Sequence, residues 1–215
     1  MTAHTPRFSS KVALVTGGSR GIGEAIVRRL AAEGAAVAFT YASSADKAQA
    51  LVDQIESAGG KALAIQADSA DVVAIERAVS TTVERFCALN ILVNNAGILQ
   101  LGSVDEFSLE DFDRMVAVNV RATFAAAKAC SPVMQAGDRI ISVGSVVAQR
   151  SGFPGSSVYS MTKSAIAGMI RGLAIDFAPR GITVNNVQPG PTSTDMNPAD
   201  GPHAGMIKSL IPLGR

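Results

Sequence analysis

The chain has 215 residues, of which 47% are hydrophobic and 17% charged, and its formal net charge is +1. This length suits one domain with a sizeable core, and the near-neutral charge argues against disorder and against binding to nucleic acid or an anionic membrane. The first ten residues lack the apolar stretch of a signal peptide, and no run approaches the ~18 apolar residues of a membrane span. The sequence therefore predicts a soluble, cytoplasmic protein.

Cysteine and histidine are too sparse to suggest a disulfide or a metal site. Cys87 and Cys130 lie far apart without CxxC spacing, and the two histidines, His4 and His203, are isolated. We expect the cysteines to be small buried thiols and expect no bound metal.

Short β-branched runs alternate with longer segments whose apolar residues recur at helical spacing, for which we expect repeated βαβ units around a parallel sheet. The predicted strands are Val12–Val15, Ala36–Thr40, Ala62–Gln66, Ile91–Asn94, Arg139–Val143 and Thr183–Val187. The predicted helices are Gly23–Glu33, Asp46–Ala58, Val72–Phe86, Asp111–Cys130 and Val158–Phe177, with Ser108 capping the fourth. The whole chain, 1–215, is predicted to be one α/β domain, with 1–9 as a flexible tail and 191–210 as a substrate loop or lid.

The first predicted strand runs directly into a glycine-rich segment, TGGSRGIG at Thr16–Gly23. Gly17, Gly21 and Gly23 allow a tight turn, a close approach to a ligand and close packing of the helix, while amides at the helix start attract phosphate. In this context the loop predicts a dinucleotide site, although its spacing is GxxxGxG rather than GxGxxG.

In the last predicted helix, the stretch YSMTK places Tyr159 four residues before Lys163. These positions share one helical face, and a neighbouring cation favours the tyrosinate. We therefore expect Lys163 to lower the pKa of Tyr159 and to make it a proton donor or acceptor usable near neutrality. The same spacing also arises when a surface lysine follows a half-buried tyrosine.

Taken in order, TGGSRGIG, NNAG at Asn94–Gly97, Ser145 in SVGS, YSMTK and the Pro189–Gly190 pair resemble the short-chain dehydrogenase/reductase family over nearly the whole chain. The sequence as a whole is similar to the 3-oxoacyl-carrier-protein reductase and glucose dehydrogenase-like branches of this family. The resemblance implies a Rossmann-type doubly wound parallel sheet with helices on both faces.

The resemblance also implies four catalytic residues. Tyr159 matches the general acid/base, Lys163 its partner that also binds the nicotinamide ribose, and Ser145 the serine that hydrogen-bonds the substrate oxygen. Asn119 matches an asparagine whose backbone helps hold a water connected to the lysine; without the family it reads as a polar residue on a helix face. Ser142, in the same strand as Ser145, is expected to be structural.

Further matches define a cofactor site. Asn95–Gly97 resemble the loop beside the adenosine ribose, and the residues after Pro189 resemble the turn around the carboxamide and pyrophosphate. Asp68 resembles the acid that accepts from the adenine amino group, and otherwise could cap the following helix. The predicted cofactor-binding residues are Gly17, Ser19, Arg20, Gly21, Ile22, Gly23, Tyr41, Ser43, Ser44, Asp68, Ser69, Asn95, Ala96, Gly97, Tyr159, Lys163, Pro189, Gly190, Thr192 and Thr194.

The choice between NADP and NAD depends on the segment Tyr41–Ser44. An NAD site offers an acid roughly 20 residues beyond the glycines, and this segment contains no carboxylate. Arg20 and the two serines could instead receive a 2′-phosphate, so NADP is predicted, with NAD as the alternative. Ala42 departs from the pattern, because phosphate-binding relatives often carry a second basic residue there.

These observations predict an NADP(H)-dependent oxidoreductase that transfers hydride between the nicotinamide and a carbonyl or secondary alcohol. It would resemble a 3-oxoacyl-carrier-protein reductase or a general ketone reductase. The alternative is a non-catalytic nucleotide-binding regulatory protein on the same fold, whereas an FAD or methyltransferase site leaves the Tyr/Lys pair unexplained. An apolar rim is predicted from Ile98–Phe107, Val147–Phe153 and Met196–Leu210, and favours a modest hydrophobic small-molecule substrate unless these side chains only fill the core.

The family resemblance also implies a homodimer or homotetramer, and a further helix and strand beyond IPLGR. Without them, Thr183–Val187 is expected to be a bare sheet edge beside uncovered apolar surface, as in a truncated or incompletely represented chain.

Overall fold

The computed structural model of the protein describes residues 6–195, 197–201 and 204–214, with residue 207 described by its backbone alone. Six parallel strands form one sheet in the order β3-β2-β1-β4-β5-β6. The strands are β1 Val12–Val15, β2 Ala36–Tyr41, β3 Lys61–Gln66, β4 Ile91–Asn94, β5 Arg139–Val143 and β6 Thr183–Val187. The predicted Rossmann-type sheet is confirmed, and the strand order reverses between β1 and β4.

Seven helices connect or follow these strands within the described residues. They are α1 Gly21–Ala32, α2 Ala45–Ser57, α3 Val72–Phe86, α4 Leu109–Val116, α5 Ala122–Cys130, α6 Ser157–Phe177 and α7 Ala204–Ser209. Short 3-10 turns occupy Val146–Ala148 and Ala178–Arg180. None of the described helices is long and apolar enough to cross a membrane.

The fourth predicted helix differs from the observed structure. It begins at Leu109, where Ser108 provides the expected cap by accepting from the amide of Asp111 at 3.0 Å. It is then interrupted by a π-helical turn, Ala117–Arg121, before α5 begins. Such a turn widens the helix by one residue and carries no signature in apolar periodicity, so the prediction of one continuous helix over Asp111–Cys130 is wrong.

The core lies on both faces of the sheet. On one face, strand residues such as Leu14, Leu92 and Ile140 pack against α3, α5 and α6. On the other, Val15 and Phe39 belong to a second cluster with residues of α1 and α2. Neighbouring strand residues therefore alternate between two buried faces, which explains why the strands are nearly continuous apolar runs.

Strand β6 forms one edge of the sheet. Within the described residues it pairs only with β5, and Val187 at its end is 54% exposed. Helix α6 packs on one face of this strand: Val184 of β6 lies in the same buried cluster as Ile170 and Leu173 of α6. The predicted exposed sheet edge is thus confirmed among the described residues, and α6 is packed against β6.

Candidate active site

A cavity of about 760 Å³ lies at the carboxyl ends of the strands, where the strand order reverses between β1 and β4. Open α/β sheets bind their ligands at this point because the loops after the two strands diverge there. Every residue predicted to contact a cofactor lines this cavity, together with Ser145. Their contacts with a cofactor remain a prediction.

The glycine loop is kept compact by close backbone contacts. The amide of Gly17 donates to Thr40 Oγ1 at 2.9 Å, and a Cβ added at Gly17, whose φ is +65°, would lie 3.0 Å from Cα of Ala96. At Gly23 an added Cβ would lie 2.2 Å from the Gly17 oxygen. Any side chain at these positions would therefore push the loop apart, which agrees with the tight turn and close helix packing predicted for these glycines.

Thr16 joins the glycine loop to the loop after β4. Its Oγ1 accepts from the amides of Asn95 and Ala96, each at 3.0 Å, and Asn95 Nδ2 donates back to the carbonyls of Thr16 and Gly17. Sequence analysis assigned no role to Thr16 or Thr40. The only available signal was a hydroxyl residue at the end of a buried strand, which is too common to single them out.

Asp68, which the family resemblance predicts to contact the adenine, lines the cavity. Its carboxylate accepts from the amide of Ala70 at 2.9 Å and forms an ion pair with Arg114 of α4 at 3.0 Å. The Ala70 amide, followed by Arg114, lowers the pKa of Asp68. Helix α3 is capped by Asp71 instead, so the alternative role of Asp68 as a cap is wrong, and Arg114 is a site residue that sequence analysis missed.

Ser145 and Tyr159 meet on the opposite side of the cavity. Ser145 follows the end of β5 and is only 9% exposed, and its Oγ accepts from the amide of Val147 at 3.3 Å. Tyr159 is half-buried in the first turn of α6. Burial raises the pKa of Tyr159, while a hydrogen-bonding interaction with the Ser145 hydroxyl acts in the opposite direction.

Lys163 lies one helical turn beyond Tyr159 and is 5% exposed. Its Nζ donates to the carbonyl oxygen of Val143 at 3.1 Å and lies 5.7 Å from the centre of the Tyr159 ring. Burial lowers the pKa of Lys163 to about 8. The expected lowering of the Tyr159 pKa by Lys163 is therefore wrong for this structure, because burial dominates and the ammonium directs its hydrogen bond to the backbone.

Asn119 is fully buried in the π-helical turn, behind the wall of the cavity. Its Oδ1 accepts from the amide of Ile98 at 2.8 Å, and its Nδ2 donates to the Ile98 carbonyl at 3.0 Å and to Thr162 Oγ1 at 3.1 Å. The side chain thus ties the loop after β4 to α6. The predicted role of its backbone in holding a water stays a prediction.

The rim of the cavity opposite the glycine loop is largely apolar. It is lined by Ile98, Leu99, Leu101, Val146, Val147, Phe153, Pro154, Met206 and Leu210. Three residues named from the sequence, His4, Met196 and His203, lie outside the described residues. Among the residues that the structure describes, no group of His, Cys, Asp or Glu could hold a metal ion.

A glycine loop at the reversal point of a parallel sheet suits a dinucleotide, and two hydroxyl residues and a buried lysine in the same cavity suit proton transfer to a substrate oxygen. The comparisons with known proteins agree. The family described as short chain dehydrogenase matches residues 11–204, and the chain therefore belongs to this family. The protein is therefore an oxidoreductase that acts on carbonyl or alcohol groups.

Three relatives illustrate the range of the family. The chain is 46% identical to the cyclic-di-GMP-binding biofilm dispersal mediator protein of Escherichia coli K12, over 97% of this chain and 84% of that protein. It is 40% identical to a 3-oxoacyl-[acyl-carrier-protein] reductase of Synechocystis, again over 97% and 84%. A short chain dehydrogenase from Burkholderia cenocepacia J2315, solved in complex with NADP, superposes with a TM-score of 0.96 at 53% identity, over 97% of this chain and 85% of that one.

Proposed function

We propose that this protein is an NADP(H)-dependent reductase of small carbonyl compounds that also runs in reverse as an alcohol dehydrogenase. The observation that carries the proposal is that Ser145 and Tyr159 line one cavity, with the buried ammonium of Lys163 5.7 Å from the centre of the Tyr159 ring. Two hydroxyls side by side can both address a single substrate oxygen.

The residues of the cavity fit a dinucleotide. The amides and glycines at the start of α1 suit a pyrophosphate, and a Cβ added at Gly190 would meet nothing within 4 Å, so this segment leaves room beside the cavity. The corner lined by Arg20, Ser43 and Ser44 offers a cation and two hydroxyls to a 2′-phosphate. The complex of the Burkholderia relative with NADP supports the same choice.

When bound, the reduced nicotinamide supplies the hydride that reduces a carbonyl carbon. The chain's own residues handle the oxygen: Tyr159 donates the proton, and Ser145 donates a hydrogen bond to the developing oxyanion. The raised pKa of Tyr159 keeps its phenol protonated at neutral pH, which suits a proton donor in the reductive direction. Lys163, held against the Val143 carbonyl with its ammonium 5.7 Å from the centre of the Tyr159 ring, is placed to donate to the nicotinamide ribose.

The apolar rim supports a hydrophobic carbonyl substrate. Leu99, Leu101, Phe153 and Leu210 line the cavity. Asp68 and Asp195, the acidic residues of the described lining, are each paired with a cation. A 3-oxoacyl thioester or a medium-sized ketone has the matching polarity.

A second candidate function is the binding of cyclic-di-GMP by a regulatory protein that retains the fold. The observation in its favour is the 46% identity to the Escherichia coli protein described as binding this dinucleotide. Such a protein would bind its ligand without converting a carbonyl compound.

One set of assays separates the two functions. NADPH oxidation is followed with ketones, aldehydes and 3-oxo thioesters, and cyclic-di-GMP binding is measured by calorimetry with and without NADPH. We expect turnover of at least one carbonyl class. Cyclic-di-GMP binding without any turnover across the panel would favour the regulatory function instead. A homodimer or homotetramer and a cytoplasmic location stay predictions that light scattering and cell fractionation would test.

A further inference from the structure

A single ion pair connects two distant parts of the chain at the mouth of the cavity. Lys47 Nζ, in the first turn of α2, donates to Asp195 Oδ2 at 3.2 Å, although the two residues are 148 positions apart. Asp195 lines the cavity, and Lys47 follows closely after Ser43 and Ser44, which line it as well. The pair therefore lies at the corner where the 2′-phosphate of NADP is expected.

The segment that carries Asp195 lies across the glycine loop. A Cβ added at Gly21 would come within 3.5 Å of the Thr194 side chain, so residues 194 and 195 pass over the start of α1. This brings Asp195 close to Arg20, the last residue before that helix. Asp195 is thus placed between a cation of the glycine loop and a cation of α2.

Both cations act on the Asp195 carboxylate. Lys47 has the largest effect in lowering the pKa of Asp195, and Arg20 contributes in the same direction. The other carboxylate that lines the cavity, Asp68, is already bound by the Ala70 amide and by Arg114. Asp195 is therefore the carboxylate that balances the positive charge of this corner.

We propose that Lys47 is the second cation of the 2′-phosphate subsite and that Asp195 is its internal counter-anion, which the phosphate displaces. A phosphate monoester carries about −1.5 to −2 charge at neutral pH and so competes effectively with one carboxylate for Lys47 and Arg20. The 2′-hydroxyl of NAD carries no charge and cannot replace Asp195 in this way. Lys47 supplies the positive charge that is missing at Ala42, the position after β2.

The inference rests on the proposed use of NADP(H), and it predicts opposite effects for the two partners. Removing the competing carboxylate in Asp195→Asn should tighten NADPH binding by about 3- to 10-fold, as expected for one exposed charge near a dianion. Removing the cation in Lys47→Gln should weaken NADPH binding by about 3- to 10-fold. Neither variant should change NADH affinity more than about 2-fold, because the dinucleotides differ only at the 2′ position.

The test is a fluorescence titration of purified full-length protein with NADPH and with NADH, without any carbonyl substrate. The variants are Lys47→Gln, Asp195→Asn and the double variant, in which the Asp195 effect should become smaller but persist, because Arg20 also acts on Asp195. Asp200→Asn is the matched carboxylate control in the same segment, and Lys61→Gln is the lysine control at the far end of β3. Both controls should keep the wild-type ratio of NADPH to NADH affinity.

An unchanged or decreased NADPH/NADH affinity ratio in Asp195→Asn would overturn the inference, as would equal weakening of both dinucleotides. If the wild-type protein prefers NADPH while the variants leave that preference intact, the inference fails and the proposed NADP(H) function stands. If the variants shift the ratio as expected while no carbonyl compound is turned over, the inference stands and the proposed reductase activity fails.

Discussion

The ammonium of Lys163 donates its hydrogen bond to the carbonyl of Val143 while lying 5.7 Å from the centre of the Tyr159 ring. Lys163 is thus attached to the end of β5, the strand that leads to Ser145, and is presented to the face of the tyrosine. Its burial lowers the pKa of Lys163 to about 8 and makes the charged form costly. Burying this ammonium lowers the stability of the folded protein but places a positive charge inside the site.

We expect Lys163→Met to stabilise the folded protein at neutral pH while it abolishes carbonyl turnover. The pKa of Lys163 falls from 10.5 to about 8 on folding, so charging it in the folded state costs up to about 3 kcal/mol. This cost is fully present below pH 8, declines as the folded protein loses the proton above pH 8, and is gone above the unfolded pKa of 10.5. Urea unfolding between pH 6 and pH 10.5 measures the difference.

The matched control is Lys128→Met, because Lys128 is exposed on α5. It should show no stabilisation that declines between pH 8 and pH 10.5. A Lys163→Met variant that is less stable than the wild type at pH 7, or whose advantage grows with pH, would contradict the predicted cost of burying this charge.

Ser145 and Ser142 form a matched pair in and just after β5. Ser145→Ala removes the proposed donor to the substrate oxygen and should lower kcat by about 10² to 10³-fold. Ser142 is 1% exposed and accepts from Asn94 Nδ2 at 3.4 Å, so Ser142→Ala should cost about 1 kcal/mol of stability and leave kcat within about 3-fold. Steady-state kinetics and thermal unfolding of both variants test these two roles. Similar kcat values for the two variants would refute the role of Ser145 as the donor to the substrate oxygen.

Asn119 is expected to act mainly through the loop after β4. Asn119→Ala leaves the amide and carbonyl of Ile98 without their side-chain partner, which should cost about 1 to 3 kcal/mol in free energy of unfolding. Asn185→Ala, at an exposed position of β6, is the control and should stay within about 0.5 kcal/mol of the wild type. Chemical denaturation compares the two, and an equal, negligible loss would contradict the bridging role of Asn119.

Two glycine-to-alanine substitutions should have opposite effects. At Gly23 a Cβ would lie 2.2 Å from the Gly17 oxygen and 2.5 Å from Asn95 Nδ2, so Gly23→Ala should disrupt the loop and abolish dinucleotide binding. Gly172 lies in the exposed part of α6 with nothing within 4 Å of an added Cβ, and Gly172→Ala should stabilise by about 0.5 to 1 kcal/mol. Thermal unfolding and NADPH titration check both, and unchanged binding in Gly23→Ala would contradict the packing described for the loop.

Much of the fold was predictable because each strand and helix carries a local pattern. The buried runs Val12–Val15 and Ile91–Asn94 match the observed strands residue for residue, and α3 matches Val72–Phe86. The π-helical turn at Asn119 was not predictable, since nothing in the apolar spacing distinguishes it from an α-helical turn. The residues predicted for the site, apart from Asn119, line one cavity because parallel strands place their carboxyl ends together.

The parts that sequence analysis missed depend on three-dimensional surroundings. Spacing alone indicated that Lys163 lies beside Tyr159, but not that burial would outweigh the lysine's charge and raise the pKa of Tyr159. Likewise, the partners of Asp68 and Asp195, namely Arg114 and Lys47, come from elements remote in the sequence. Ion pairs over such separations leave no local pattern.

The most direct test of the proposed chemistry is Tyr159→Phe, which removes one oxygen and retains the ring. We predict that NADPH affinity stays within about 3-fold of the wild-type value while kcat for carbonyl reduction falls by at least about 10² to 10⁴-fold, because the proposed proton donor is lost with the phenolic oxygen. A variant that keeps the wild-type kcat would contradict the assignment of Tyr159 as the proton donor.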